Sequence, residues 1–213
     1  MTDLTLTIGD KNLSSWSLRP WLLMTHMDIP FEEETIFLDR ASSRKELNEK
    51  SPSGLVPFLT HGSLKLWDSL AIAEYLSDLF PEKNLWPSDI SARAIARAVS
   101  AEMHSGYSAL RTVWPMQVTK RDLAHVTSGG VQQDLDRILA LWTRCRTEFG
   151  SGGDFLFGQF SIADAMYAPV VSRIYTYGPV ATNETCATYM DKIINLDSMK
   201  EWEAGAIQEI RTV

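Results

Sequence analysis

The apolar period of this chain changes repeatedly over its first eighty residues and then settles, and that switch restricts the folds open to it. "LTLTIGD" alternates apolar residues with threonine, as a strand does. "SLRPWLLMTHMD" follows at helical spacing, "FEEETIFL" reads as a second strand, and "SSRKELNEK" as a short polar helix. "LVPFLT", a two-residue His61-Gly62 turn and "LKLW" form a hairpin. "SLAIAEYLSDLF" then places Ile72, Leu76 and Leu79 on one helical face. The order βαβ then ββα predicts a small mixed sheet with flanking helices over residues 1–80. "PEKNLWPSD", with two prolines, marks a linker at 81–88. From 89 to 213 the chain reads as all-α. Ile95, Val99, Met103, Tyr107, Leu110 and Trp114 recur every three or four residues, as do Val131, Leu135, Ile138, Trp142 and Cys145. "TSGG" and "GSGGD" punctuate these helices.

Composition narrows the function. At 213 residues there is room for one large domain or two small ones, and 45% hydrophobic with 22% charged residues is ordinary for a globular protein. A net charge of -7 argues against nucleic acid or an anionic membrane as the main partner. No apolar stretch approaches the roughly 20 residues needed to cross a bilayer. "MTDLTLTIGD" lacks the basic start and apolar core of a signal peptide, so the expected location is cytoplasmic. Cys145 and Cys186 form no C-x-x-C pair and the four histidines no H-E-x-x-H, so no metal is expected.

Three local motifs carry the chemistry. In "NLSSWSLRPW", Pro20 suits the first turn of a helix, which puts the N-cap near Ser17 and leaves Ser14 and Ser15 in the preceding loop. A hydroxyl there can reach an anion held by the helix N-terminus, although capping and turn formation alone would also account for all three serines. In "SPSGLVPFL", Pro57 within an apolar run argues against a central strand and implies an edge, with a cis peptide bond after Val56 and Val56 main-chain groups free for an extended, peptide-like ligand. An ordinary turn is the alternative. In "LWDSLAIAEYL", Asp68 is a natural cap. Beyond capping, Ser69 and the first helix amides can receive a carboxylate while Asp68 receives an ammonium group.

The order and spacing of these motifs resemble the glutathione S-transferases over nearly the whole chain. That resemblance implies a thioredoxin-like N-terminal domain and an all-helical C-terminal one. It implies glutathione as co-substrate, held at Val56, Pro57, Asp68 and Ser69, with Asp68 one methylene shorter than the family's glutamate or glutamine. "GQFSIADAMYAP" resembles the family's buried capping box, Ser161 capping and Asp164 answering it. "SSWS" is most similar to the zeta-class "SSCS", which implies Ser14 as the catalytic hydroxyl, Ser15 as its neighbour, and Trp16 in place of cysteine. Arg173 falls about one turn before the arginine that zeta-type isomerases use for an acidic substrate, which argues against maleylacetoacetate isomerisation. Residues 102 to 116 also resemble a bacterial subgroup of the family. A homodimer is implied as well.

Only the thiolate of glutathione is a good nucleophile, and a hydroxyl donating to sulfur near a helix N-terminus favours that form. The expected activity is conjugation or isomerisation of a small hydrophobic electrophile. Trp16, Met103, Tyr107, Arg111, Trp114 and Met116 are the residues proposed for its pocket, with interdomain core as their other reading. Ser42, Arg44 or Lys45 could reach the glycyl carboxylate, or form a solvated face. A glutathione-dependent peroxidase and a non-catalytic interaction module on the same fold are the rival functions.

Overall fold

The computed structural model describes residues 3–38, 40–123 and 128–212, so Thr127 of the "TSGG" break lies outside it. Strands β1 (Leu4–Ile8), β2 (Glu32–Thr35), β3 (Phe58–His61) and β4 (Leu64–Trp67) form one sheet in the order β2-β1-β3-β4. β1 is parallel to β2 and antiparallel to β3, which pairs antiparallel with β4. A parallel pair needs a crossover, and helix α1 (Ser15–His26) supplies it. The central position of β1 buries Leu4, Leu6, Thr7 and Ile8. In the hairpin His61 pairs with Leu64, so the turn is Gly62-Ser63 and not His61-Gly62. Gly62 takes φ +57°, a conformation that costs glycine little.

The remaining helices are α2 (Ser43–Lys50), α3 (Ser69–Leu79), α4 (Ile90–Ser105), α5 (Ser108–Val113), α6 (Gly129–Phe149), α7 (Ile162–Tyr177), α8 (Glu184–Ile194) and α9 (Asp197–Thr212). After β4 the described residues form helices and two isolated bridges between Phe155 and Gln159. The helical spacing from Ile95 to Trp114 hides a break: Gly106 ends α4, and Tyr107 takes φ +58° before α5 begins. Apolar periodicity continues across that break because both helices face the same core.

Helix α7 is buried around nearly its whole circumference, which requires a central position. It packs against α1, α4 and α8, and one core runs from β1 through α7 to α9. The expected capping box fixes its start. The Asp164 carboxylate accepts the amides of Leu156 (3.0 Å) and Ser161 (2.9 Å) and the Ser161 hydroxyl (3.0 Å). Burial pushes the Asp164 carboxyl up to about 6.

Candidate active site

The head of α1 begins three residues earlier than Pro20 suggested. Ser14 is the N-cap, its Oγ accepting the Ser17 amide at 3.4 Å and donating to Ser17 Oγ at 2.7 Å. Ser17 Oγ also accepts the Gly9 amide at 3.0 Å, pinning the helix to the end of β1. Ser17 is therefore a buried strut rather than the cap, and Ser14 and Ser15 are not loop residues. Pro20 stands inside the helix, past its first turn. Ser15 opens the helix, stays half-buried, and accepts a hydrogen bond from Arg173 Nη2 at 3.1 Å.

Facing this helix head, the Val56-Pro57 peptide is cis, and the strand it leads into, β3, is an inner strand rather than the expected edge, which Pro57 tolerates because β3 starts only at the next residue. The loop is shaped by Ser51, whose Oγ donates to the Leu55 carbonyl (2.6 Å) and accepts its amide (3.2 Å), and by Gly54 at φ +69°. The Val56 main chain makes no hydrogen bond among the described residues. A cleft of about 390 Å³ is lined by Trp16, Ser53, Leu55, Val56, Pro57, Trp67, Asp68 and Ser69. It thus unites the four ligand residues named from sequence with Trp16.

The two residues at the head of α3 differ in how they are satisfied. Ser69 is 1% exposed and its Oγ has no hydrogen-bond partner, a costly state unless a ligand completes it. Asp68 sits at φ +77°, a sparsely populated conformation of the kind that collects at functional sites. Its Oδ1 accepts the amides of Leu70 (2.9 Å) and Ala71 (3.1 Å), and its Oδ2 lies 2.9 Å from His104 Nε2.

Trp16 gathers positive charge around the cleft. The guanidinium carbons of Arg19 and Arg111 lie 4.3 and 4.6 Å from its ring centre, and His104 meets it edge-on at 5.2 Å. Arg19 is 2% exposed with Nε and Nη1 unpartnered. Burial pulls its guanidinium well down, Arg111 and Arg173 add to that, and Asp68 opposes it. His104 is lowered by burial, with Asp68 opposing and Arg19 and Arg111 reinforcing, so it is neutral at pH 7.

The other residues named for an electrophile pocket lie mostly in the interdomain core. Met103, Tyr107, Trp114 and Met116 are buried, Trp114 stacks on Tyr177 at 5.4 Å, and the Tyr107 hydroxyl donates to Glu102. Arg111 is partly exposed, its Nη2 donating to the carbonyls of Met103 and His104. Ser42, Arg44 and Lys45 are exposed and do not line the cleft. The sequence reading missed Ser53, Leu55 and Trp67, although each lies within a quoted motif. It also missed Arg19 and His104, which no local pattern marks. Among the described residues no group of histidine, cysteine and acidic side chains is placed to hold a metal ion, and no helix is long and apolar enough to cross a membrane.

A small mixed sheet with a cis-proline loop and two serine-headed helices, packed on a helical domain, defines a class of two-domain proteins with a thioredoxin-like N-terminal half. Residues 13–79 match the model of the glutathione S-transferase N-terminal domain, and residues 94–204 that of the C-terminal domain. The chain belongs to the glutathione S-transferase family. A probable maleylacetoacetate isomerase of Caenorhabditis elegans is 32% identical over 103 residues, 48% of this chain and 47% of that protein. The chain thus spans about half the length of that relative. A stringent starvation protein A homolog of Haemophilus ducreyi is 24% identical over 201 residues, 93% of this chain and 89% of that one. A glutathione transferase homolog from Burkholderia GL BGR1, solved with bound glutathione, superposes with a TM-score of 0.72 at 22% identity, covering 96% of this chain and 98% of its own.

Proposed function

We propose that the chain is a glutathione transferase that ionises the glutathione thiol at the head of α1 and directs it to a small hydrophobic electrophile, by conjugation or isomerisation. The observation that carries this reading is the unpartnered, buried Ser69 hydroxyl in the same cleft as the unbonded Val56 main chain. A γ-glutamyl carboxylate would complete Ser69 and the α3 amides, its ammonium would meet Asp68, and the cysteinyl backbone would pair with Val56. The sulfur would then reach the α1 N-terminus. There Ser15 is the better donor, because the Ser14 hydroxyl is already spent on Ser17.

The division into residues 1–80, a linker at 81–88 and residues 89–213, the homodimer and the cytoplasmic location belong to the same proposal. Arg173 is 4% exposed and spends three of its N–H groups on two carbonyls and a serine, which weighs against its receiving the acid group of maleylacetoacetate.

The test is retention on immobilised glutathione followed by turnover of chlorodinitrobenzene and of an organic hydroperoxide. Retention with turnover of the aromatic electrophile supports the transferase, and turnover of the hydroperoxide alone supports the peroxidase. A second reading, a non-catalytic module, is favoured by the match along 93% of the chain to a relative not named as a transferase. Neither retention nor turnover would establish that reading.

A further inference from the structure

Arg173 lies in the C-terminal half of α7 and is 4% exposed. Its Nε donates to the Trp114 carbonyl (2.8 Å), Nη1 to the Pro169 carbonyl (3.2 Å), and Nη2 to Ser15 Oγ (3.1 Å). Every nitrogen makes a hydrogen bond, yet among the described residues no carboxylate is bonded to the guanidinium. A buried cation without a counter-charge is costly, and the cost shows in a guanidinium brought down to about 10, chiefly by burial and next by Arg111.

Two more cations share the region: Arg19, one turn beyond Ser15 on α1, and Arg111 on α5. The charged or titratable groups facing them from the other elements are Asp68 before α3, neutral His104 on α4, Asp134 on α6, and Tyr167 and Tyr177 on α7. Three guanidinium groups therefore meet two carboxylates: Asp68 is already engaged by His104 and two amides, and Asp134 acts on Arg111 while accepting the Leu110 amide. Neither carboxylate is bonded to Arg173, whose partners are two carbonyls and Ser15.

Ser15 is the one side chain through which Arg173 touches the helix head. Its oxygen accepts the arginine N–H, so its own proton must turn away from Arg173. We propose that Arg173 is a positioning residue that orients the Ser15 hydroxyl toward the sulfur of bound glutathione and strengthens it as a donor. Hydrogen bonds in a chain polarise one another, and a hydroxyl that accepts from a cation donates more strongly. The α1 N-terminus adds to the same field. The thiol proton leaves to solvent, and the thiolate supplies the counter-charge that Arg173 lacks. This inference rests on the glutathione reading of the cleft.

The experiment is an ultraviolet thiolate titration of the glutathione complex for the wild type, Arg173→Met, Arg173→Lys, Ser15→Ala and the Ser15→Ala/Arg173→Met pair, with a melting curve for each. Arg173→Met is expected to raise the bound thiol pKa as Ser15→Ala does, by about one unit, a tenfold loss of thiolate at neutral pH. The pair should add nothing further, since both changes break one donor chain. Arg173→Lys keeps the charge but cannot span the Trp114 carbonyl and Ser15 together, so its thiol pKa should fall between wild type and Ser15→Ala. If Arg173→Met does not fold, Arg173→Lys decides. A lowered melting temperature with an unmoved thiol pKa would assign Arg173 a purely structural role, and additive shifts in the pair would separate it from Ser15; either overturns the proposal. No thiolate signal in the wild type would instead overturn the glutathione reading, and this inference with it.

Discussion

His104 Nε2 lies 2.9 Å from Asp68 Oδ2, tying the last turn of α4 to the residue that caps α3. Asp68 is held at a positive φ, so a contact that fixes its carboxylate also fixes the backbone around the cleft. Neutral His104 donates to the carboxylate, and burial keeps its pKa below the ordinary 6.5. The folded state then binds this proton less readily than the unfolded chain. The contribution to stability is present above pH 6.5 and lost as pH falls through the lowered folded value. His104→Gln can reach the same carboxylate without titrating. Its melting temperature should therefore fall less than that of the wild type between pH 7.5 and pH 5. His26, also lowered by burial, contributes acid sensitivity to both proteins and cancels in the comparison. Equal acid-side losses would refute the role of His104.

Ser69→Ala should separate binding from stability. A hydroxyl without a partner contributes no hydrogen bond to the empty fold, so removing it should leave the melting temperature unchanged or higher. Losing its bond to a bound carboxylate should weaken glutathione by roughly 1.5–3 kcal/mol in calorimetric titration. Unchanged affinity would remove Ser69 from the site.

Asp164→Ala should be a folding variant with an intact cleft. The carboxylate satisfies two buried amides, of Leu156 and Ser161, and each would be left without an acceptor. The expected loss is on the order of 3 kcal/mol or more in denaturant unfolding. A loss below about 1 kcal/mol would mean that the α7 start is held elsewhere.

The proposed homodimer has a physical motive in β4, an edge strand that exposes Leu64 at 43%. An open apolar edge invites aggregation unless something covers it. Light scattering should give about twice the 23.9 kDa chain mass, and the chain mass across dilution would exclude the dimer.

What was legible in the sequence was what short-range chemistry decides. The Val56-Pro57 step, the Asp68 cap and the Ser161–Asp164 box each depend on a few adjacent residues, and each has the expected conformation. The start of α1 was misplaced because proline was given more weight than a serine that can cap. Periodicity located Met103 and Trp114 on inward faces without distinguishing pocket wall from interdomain core. The contact of Arg173 with Ser15 joins residues 158 positions apart, and no local pattern encodes it. The same is true of His104 on Asp68, which depends on how α3 and α4 pack.

The three serines of "SSWS" should respond to alanine in three different ways. Ser14 Oγ caps the helix and donates to Ser17, so Ser14→Ala should cost about 1 kcal/mol of stability with little change in the bound thiol pKa. Ser17 is fully buried, and its Oγ accepts from Gly9 and Ser14. Ser17→Ala leaves the Gly9 amide unpaired and should cost about 1–3 kcal/mol, more than a lost cap. Ser15 accepts from Arg173, so Ser15→Ala leaves an N–H of that buried guanidinium without its acceptor, and its stability cost, about 1–3 kcal/mol, does not by itself set it apart from Ser17→Ala. Ser15→Ala should also raise the thiol pKa and lower kcat, while glutathione affinity, set by Val56, Asp68 and Ser69, changes much less. Melting curves with thiolate titrations on the three variants separate these outcomes. A pKa that moves in Ser14→Ala and stays fixed in Ser15→Ala would transfer the sulfur contact to Ser14, with Ser17 then turning its own proton toward Ser14.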